Sequence, residues 1–321
     1  MRAVQIVTLD GPSAVRVTDI AEPDGDGAVL IDVHAAGVTF PDLLQTRGLY
    51  QLKPDPPFVP GTEVAGVVRS APEGAGVRAG DRVAAFPGLG GFAEVVAADP
   101  KAVFGIPDNI SFRKAAALPM NYLTVHFALC RRAALREGER VLVHGAAGGI
   151  GTAAIQLAAA LGARVIAVTS TPGKAEIARA AGAHDVVSSD GFLEQVRELT
   201  AGAGVDVVVD PVGGDRFTDS LRALAPEGRL LVIGFTAGEI PTVKVNRLLL
   251  NNIAVVGVGW GAFWQRRPEY LRQQWEELLP LLQQGRLDPP IGNAYPLAEA
   301  AAALTELDER RATGKVVLLP R

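Results

Sequence analysis

The chain has 321 residues, a formal net charge of −4 and one cysteine. That length suits about two domains, the acidic balance excludes the basic signature of a nucleic-acid or anionic-membrane partner, and a lone cysteine excludes an internal disulfide. No apolar run reaches the roughly 18 residues a membrane span needs, and Met1–Val7 enters a strand without a signal-peptide pattern, so a cytoplasmic protein is expected.

Residues 1–116 read as β-rich. Short alternating or apolar runs at Arg2–Val7, Val15–Asp19, Ala28–Ala35, Glu63–Ser70, Arg82–Ala85 and Phe92–Ala98 are separated by Gly, Pro and Asp clusters. From residue 117 the pattern changes. Apolar strands at Val141–Val143, Val165–Val168, Val186–Val187, Val205–Val209 and Leu230–Ile233 alternate with helical segments. Such alternation predicts a doubly wound parallel sheet with helices on both faces, an α/β Rossmann domain spanning 117–285. Residues 267–284 read as an amphipathic helix, and Lys315–Leu319 as a final strand that returns residues 286–321 to the first domain.

The most informative stretch follows Val141–Val143. Gly145, Gly148, Gly149 and Gly151 come at once, then a helix over Ile150–Leu161 closed by Gly162, then the strand Val165–Val168. Strand, glycine turn and helix in this order form a dinucleotide cradle. Gly148, Gly149, Ile150 and Gly151 open the helix, whose N-terminal N–H groups suit a pyrophosphate. An NAD site places an acid about 20 residues after the turn to hold the ribose 2′-hydroxyl. Thr169-Ser170-Thr171 stands there instead, followed by Lys174. Hydroxyls and a cation suit a 2′-phosphate, so Ser170 and Lys174 point to NADPH. A cap from Ser170 or Thr171 on the helix opened by Pro172 is compatible with that reading.

Dinucleotides lie across the carboxyl ends of parallel strands. Val212, then Gly234-Phe235-Thr236, then Val258 occupy three such ends. Trp260, Phe263 and Trp264 cluster beyond the last strand, either as a wall for a flat apolar acceptor or as packing residues. Arg310 lies near the C-terminal strand, either reaching a cofactor or answering Glu306 and Asp308 as a helix-end cation.

Further stretches carry a family resemblance along essentially the whole chain. They are His34-Ala-Ala-Gly-Val38, Phe40-Pro-Asp42, Arg47-Gly-Leu-Tyr50, Pro60-Gly-Thr-Glu-Val-Ala-Gly66, Gly80-Asp-Arg-Val83, Asp210-Pro-Val-Gly-Gly214 and Gly314-Lys-Val-Val-Leu318, together with the glycine cradle. The chain resembles the medium-chain dehydrogenase/reductase superfamily, in its zinc-free, zeta-crystallin-like NADPH:quinone oxidoreductase branch. The resemblance implies a GroES-like β-rich barrel domain, residues 1–116 with 286–321, beside the Rossmann domain. Zinc alcohol dehydrogenases of the superfamily place a Cys ligand near Thr39 and a His ligand near Thr62. Hydroxyls stand at both positions here, and His34, His126, His144 and His184 show no paired ligand spacing, so no metal is expected.

Without a Lewis acid, the expected chemistry is hydride transfer from NADPH to an acceptor that is already electrophilic, a quinone or an enone. The resemblance makes Tyr50 a hydrogen-bond donor to the developing oxyanion. It places Thr39 where many relatives have Asn, and puts Asn121 at the start of the helix that crosses to the cofactor domain. Thr124 matches a position on the nicotinamide side. Leu44 replaces a tyrosine of the quinone pocket, and Ser189 falls near a missing phosphate-side tyrosine. Relatives dimerise through the edges of their cofactor-domain sheets, and Asn252–Val258 is a long apolar strand at the expected edge, so a homodimer is expected. An enoyl-thioester reductase is the alternative substrate class. A non-catalytic NADPH-binding or RNA-binding protein is the alternative outside it, and the acidic charge argues against RNA.

Overall fold

The computed structural model describes residues 1–321. In chain order the strands are β1 (Arg2–Ile6), β2 (Val15–Asp19), β3 (Val29–Gly37), β4 (Glu63–Ser70), β5 (Arg82–Ala85), β6 (Val95–Ala98) and β7 (Val103–Gly105). There follow β8 (Arg140–Val143), β9 (Arg164–Thr169), β10 (Asp185–Ser188), β11 (Val205–Asp210), β12 (Leu224–Val232), β13 (Ala254–Gly257), β14 (Ile291–Pro296) and β15 (Lys315–Leu319). No helix is long and apolar enough to cross a membrane.

Two compact units divide the chain. The first comprises Met1–Met120, Arg267–Gln283 and Pro289–Arg321. Its main sheet runs β14-β15-β3-β4-β5-β7, with β6 also paired to β3. Along β3 the pleat turns Val29, Ile31 and Val33 inward, where they meet Val4, Ile6, Val64, Val68, Val83 and Phe92 in one core. A Cβ at Gly66 would fall on the Asp32 carbonyl oxygen, so glycine lets β3 and β4 cross closely. The helix Ala300–Asp308 covers this core with Ala300, Ala303 and Leu304, at i, i+3 and i+4.

The helix Glu269–Gln283 also packs in the first unit. Trp275 donates its indole N–H to the Gly105 carbonyl at 3.1 Å and stacks on Phe104 with ring centroids 4.8 Å apart. Leu271, Trp275, Leu278 and Leu282 form its buried stripe. The sequence boundaries grouped this helix with residues 117–285. The Trp275 and Phe104 contact, which joins residues far apart in the chain, groups it with the β-rich unit instead.

A buried ion pair ties the first unit together. Glu63 opens β4 and Lys315 opens β15; both side chains are buried and paired. Glu63 Oε2 also accepts the Met120 N–H at 2.7 Å. A Cβ at Gly37, where β3 ends, would collide with the Glu63 carboxylate and the Ala116 carbonyl.

The second unit comprises Asn121–Arg266 and Gln284–Asp288. Its sheet is wholly parallel, ordered β10-β9-β8-β11-β12-β13. The doubly wound Rossmann-type sheet is therefore present. The order reverses between β8 and β11, which makes that point the topological switch. Val141, Leu142 and Val143 of β8 and Val207, Val208 and Val209 of β11 have no exposure, as strands covered on both faces require. Tyr122 donates to Gln156 Oε1 at 2.6 Å, and Gln156 in turn holds both backbone groups of Asp288. β10 and β13 are the two edge strands.

Lys315→Met leaves the Glu63 charge buried without a partner, and a loss of about 3–5 kcal/mol is expected. The double variant Glu63→Gln/Lys315→Met removes both charges, keeps an acceptor for Met120, and should recover most of that loss in chemical denaturation. Equal losses in the single and double variants would show that pairing is irrelevant.

Candidate cofactor cradle and catalytic cluster

The glycine turn joins β8 to the helix Gly149–Ala160 at the switch point. Gly145 takes a left-handed backbone, φ +58°, and the helix N-cap is Gly148, so no side chain caps the helix. A Cβ at Gly151 would overlap the Gly145 carbonyl oxygen and come within 2.6 Å of Ala146 Cα. Glycine there lets the turn fold back onto its own helix. A Cβ at Gly149 would come within 2.5 Å of Asn121 Nδ2, so Asn121 sits directly against the cradle. One helical turn on, Thr124 is buried with a hydroxyl that has no hydrogen-bond partner. Uncapped N–H groups, a missing Cβ and an orphaned hydroxyl together fit a phosphate-bearing dinucleotide.

β9 ends at Thr169, which is buried; Ser170 and Thr171 are exposed. Thr171 caps the helix Pro172–Ala180 by accepting the Lys174 N–H at 3.3 Å. Capping thus falls to Thr171, and the Lys174 side chain is half-buried beside it.

Asp210 closes β11. It is buried, and its Oδ1 accepts the N–H groups of Val212 and Gly213, each at 2.9 Å. Burial raises its carboxyl above the usual range, against the pull of those two bonds. The loop so formed accepts the Thr236 N–H at Pro211 O, 3.1 Å, and the Ala237 N–H at Val212 O, 3.0 Å. Val212, Gly234, Phe235 and Thr236 are thereby brought together. Val258 is anchored to β12 through the Val232 carbonyl at 3.0 Å. Beyond it Trp260 is buried, with its ring 5.9 Å from that of Trp264. Phe263 packs on Phe127 at 5.0 Å beneath the Arg131 guanidinium at 4.5 Å.

In the first unit, Thr39 caps the helix Phe40–Gln45 in a reciprocal capping box with Asp42. Asp42 Oδ2 accepts the Thr39 hydroxyl at 2.5 Å and the Thr39 N–H at 2.8 Å, while Oδ1 accepts the Gly61 N–H at 3.2 Å. Thr62 Oγ1 lies 3.2 Å from Thr39 Oγ1. Asp42, Thr39 and Thr62 are all buried. Burial pushes the Asp42 carboxyl up to about 6, against the Thr39 bonds and the nearby Lys315 charge. Tyr50 follows Gly48, whose φ is +63°, and is half-buried; burial and the Asp42 charge raise its phenol. Leu44 is half-buried, and its carbonyl accepts the Leu49 N–H at 3.0 Å. Arg310 is exposed on a left-handed backbone. Asp308 is held by Arg47 at 2.6 and 2.9 Å, and Glu306 by Tyr295 and Asn293.

Residues 25–108 match the sequence model of the alcohol dehydrogenase GroES-like domain, and residues 149–284 that of zinc-binding dehydrogenases. Quinone oxidoreductase-like protein 2 of Bos taurus is 41% identical over 294 residues, covering 90% of this chain and 84% of its own. The chain belongs to the medium-chain dehydrogenase/reductase superfamily, in its quinone oxidoreductase branch. Two solved structures agree. A probable oxidoreductase from Mycobacterium abscessus superposes with a TM-score of 0.92 at 48% identity, covering 100% of this chain and 99% of that one. The quinone oxidoreductase of Thermus thermophilus, also solved with NADPH, gives 0.86 at 38% identity, covering 99% and 100%.

The zinc in the family description does not fit this member of the superfamily. No three His, Cys, Asp or Glu side chains converge. Thr39 and Thr62 bond each other instead. His34 stacks on Phe112 at 4.4 Å, and His184 Nδ1 accepts the Val165 N–H at 3.1 Å. His144 is buried, bonds Ser220 at 2.8 Å, and is held neutral by burial, which pulls it down to about 3. Sequence reasoning missed Asp210 and Asp42 as organisers of the two loops. An Asp just before a Pro-containing turn and a Thr-x-x-Asp capping pattern were the available signals.

Gly151→Ala forces a methyl against backbone and should cost about 1–3 kcal/mol. Gly149→Ala meets the Asn121 side chain first rather than backbone, and should cost less. Thermal unfolding of the two variants compares them; equal losses would remove the case for a close-packed turn at Gly151.

Proposed function

We propose that this protein is an NADPH-dependent reductase that serves a quinone or an α,β-unsaturated carbonyl without a metal ion. The observation that carries the reading is the uncapped glycine turn at the switch point, with Ser170, Thr171 and Lys174 at the end of β9 and no carboxylate there. The NADPH found with the Thermus thermophilus relative supports the same cofactor. The N–H groups of Gly149, Ile150 and Gly151 bind the pyrophosphate, and Gly148, whose own N–H is held by the Gly145 carbonyl at 3.0 Å, shapes the turn that presents them. Ser170 and Lys174 hold the 2′-phosphate. Thr124, Val212, Gly234, Phe235, Thr236 and Val258 border the nicotinamide ribose and amide. NADPH, when bound, supplies a hydride.

The chain's part is to orient the acceptor and to offer donors to its oxygen. Tyr50 is one donor. Its raised phenol stays protonated at neutral pH. Thr39 and Asn121 are the other polar candidates, and Leu44, Trp260, Phe263 and Trp264 are the apolar ones. Losing one oxyanion donor typically costs about 10²–10³ in turnover. Tyr50→Phe should therefore slow enone reduction by about that factor and slow quinone reduction less, because a quinone is the stronger electrophile.

NADPH consumption with phenanthrenequinone, a simple enone and crotonyl-CoA tests the reading. Turnover of the first two supports it. Turnover of crotonyl-CoA alone favours an enoyl-thioester reductase, and binding of NADPH without any turnover favours a non-catalytic role. Fluorescence titration should give tighter binding of NADPH than of NADH, with Lys174→Ala removing mainly the difference; equal wild-type affinities would sink the phosphate assignment.

We also propose a homodimer joined through β13. That strand is one of the two edges of its sheet, and the preceding helix Asn246–Asn251 exposes Leu249 at 77% and Leu250 at 75%. Light scattering at micromolar protein should return twice the chain mass. A monomer mass would exclude the pairing.

A further inference from the structure

Thr39 is a candidate donor in the proposed reaction, yet its only hydroxyl proton is directed elsewhere. It points at Asp42 Oδ2, 2.5 Å away. The Asp42 N–H approaches the same hydroxyl oxygen at 3.3 Å, and Thr62 Oγ1 lies 3.2 Å from it. Since the Thr39 proton goes to the carboxylate, Thr62 is the donor in the contact between the two threonines. With Asp42 ionised, protons therefore run from Thr62 to Thr39 to Asp42. Neither threonine then offers a proton to a ligand oxygen.

A proton on Asp42 reverses that order. The carboxyl O–H donates to Thr39 Oγ1, and the Thr39 proton is released from the carboxylate, free to turn to Thr62 Oγ1 or to a ligand oxygen. We propose that Asp42, Thr39 and Thr62 form a reversible proton wire, in which protonated Asp42 supplies through Thr39 the proton taken up by the reduced acceptor's oxygen. This rests on the reductase reading above. The acceptor, having received the hydride, carries a negative oxygen. That oxygen forms its O–H bond as the Thr39 O–H bond breaks, and Thr39 Oγ1 takes the Asp42 proton. Asp42 is left a carboxylate and regains a proton from water along the same chain after the product leaves. The hydride brings two electrons and one hydrogen, and the wire brings one proton, which balances the reduction of one carbonyl or one conjugated double bond.

A helix cap alone needs neither burial nor a third hydroxyl. Here Asp42 has no exposure, and its neighbours pull in opposite senses. Burial and the Glu63 carboxylate of β4 favour its proton; Lys315 of β15 and the Thr39 bonds disfavour it. The Tyr50 phenol feels the same carboxyl from the loop beyond the helix. The balance near 6 leaves both protonation states accessible around neutral pH.

Asp42 acts through Thr39, so it is a positioning residue, and the test separates the wire from the fold and from activity. In the cofactor-free protein, infrared difference spectra across pH 4–8 should show a protonated-carboxyl band that disappears as pH rises through about 6. Asp42→Asn should lack this band. Thr39→Asn keeps a side-chain cap but cannot pass a proton on, and it should shift the band. With NADPH and an enone, wild-type and Thr39→Ser turnover should fall as pH rises through about 6, because the wire works only when Asp42 is protonated. Asp42→Asn and Thr39→Asn should be slower by about 10²-fold at low pH and flat across the range. A band that never titrates, or a pH profile unchanged in Thr39→Asn, overturns the wire even in an active enzyme. A band that titrates and shifts in Thr39→Asn, in a protein that reduces nothing, upholds the reversal of the Thr62–Thr39–Asp42 chain and overturns both the reductase reading and the proton delivery that rests on it.

Discussion

Glu63 is a carboxylate with no access to water, and the first unit is built around keeping it paired. A buried charge is tolerated only when other groups compensate for its lost hydration. Lys315 brings the charge and Met120 brings an N–H. The two partners lie far apart in the sequence, so satisfying one side chain fixes the start of β15 and the start of the helix Pro119–His126 against β4. Gly37 completes the arrangement by carrying no Cβ into the space the carboxylate occupies. Val38 and Thr39 continue directly from that point, so the position of Thr39 descends from the same constraint.

Two further buried carboxylates repeat the principle on a smaller scale. Asp42 accepts from Thr39 and Gly61, and Asp210 accepts from Val212 and Gly213. Each shapes a loop that carries candidate site residues. A loop held by a buried acceptor is ordered before any ligand arrives, which lowers the entropic cost of binding. The glycine turn works the opposite way. It withholds side chains, so that backbone N–H groups remain available at the end of β8.

Hydride reduction of a carbonyl creates one negative oxygen and needs one proton. A metal would stabilise the first. The donor set of this chain brings no three His, Cys, Asp or Glu side chains together, and in the proposed reaction hydroxyls take that task. Thr39 bonds both Thr62 and Asp42, and in the proposed wire the direction of that hydrogen-bond chain depends on one carboxyl. Tyr50 has no such dependence, since burial holds its proton in place.

Local patterns determined a great deal by themselves. The glycine turn, the helix after it and the valine-rich parallel strands were legible because each depends on backbone freedom or on periodicity within a few residues. Arg2–Ile6, Val15–Asp19, Glu63–Ser70, Arg82–Ala85 and Lys315–Leu319 were legible for the same reason. The tertiary structure decided the rest. β14, Ile291–Pro296, has no strong apolar run and exists because β15 offers it a parallel partner. The helix Glu269–Gln283 showed its apolar stripe in the sequence, but which unit receives that stripe depends on Phe104 and Gly105. The Thr39 and Asp42 cap was readable as a spacing of three. Its burial and its contact with Thr62 were not, because the dielectric around a carboxyl is set by every element packed on it, and those elements come from distant parts of the chain.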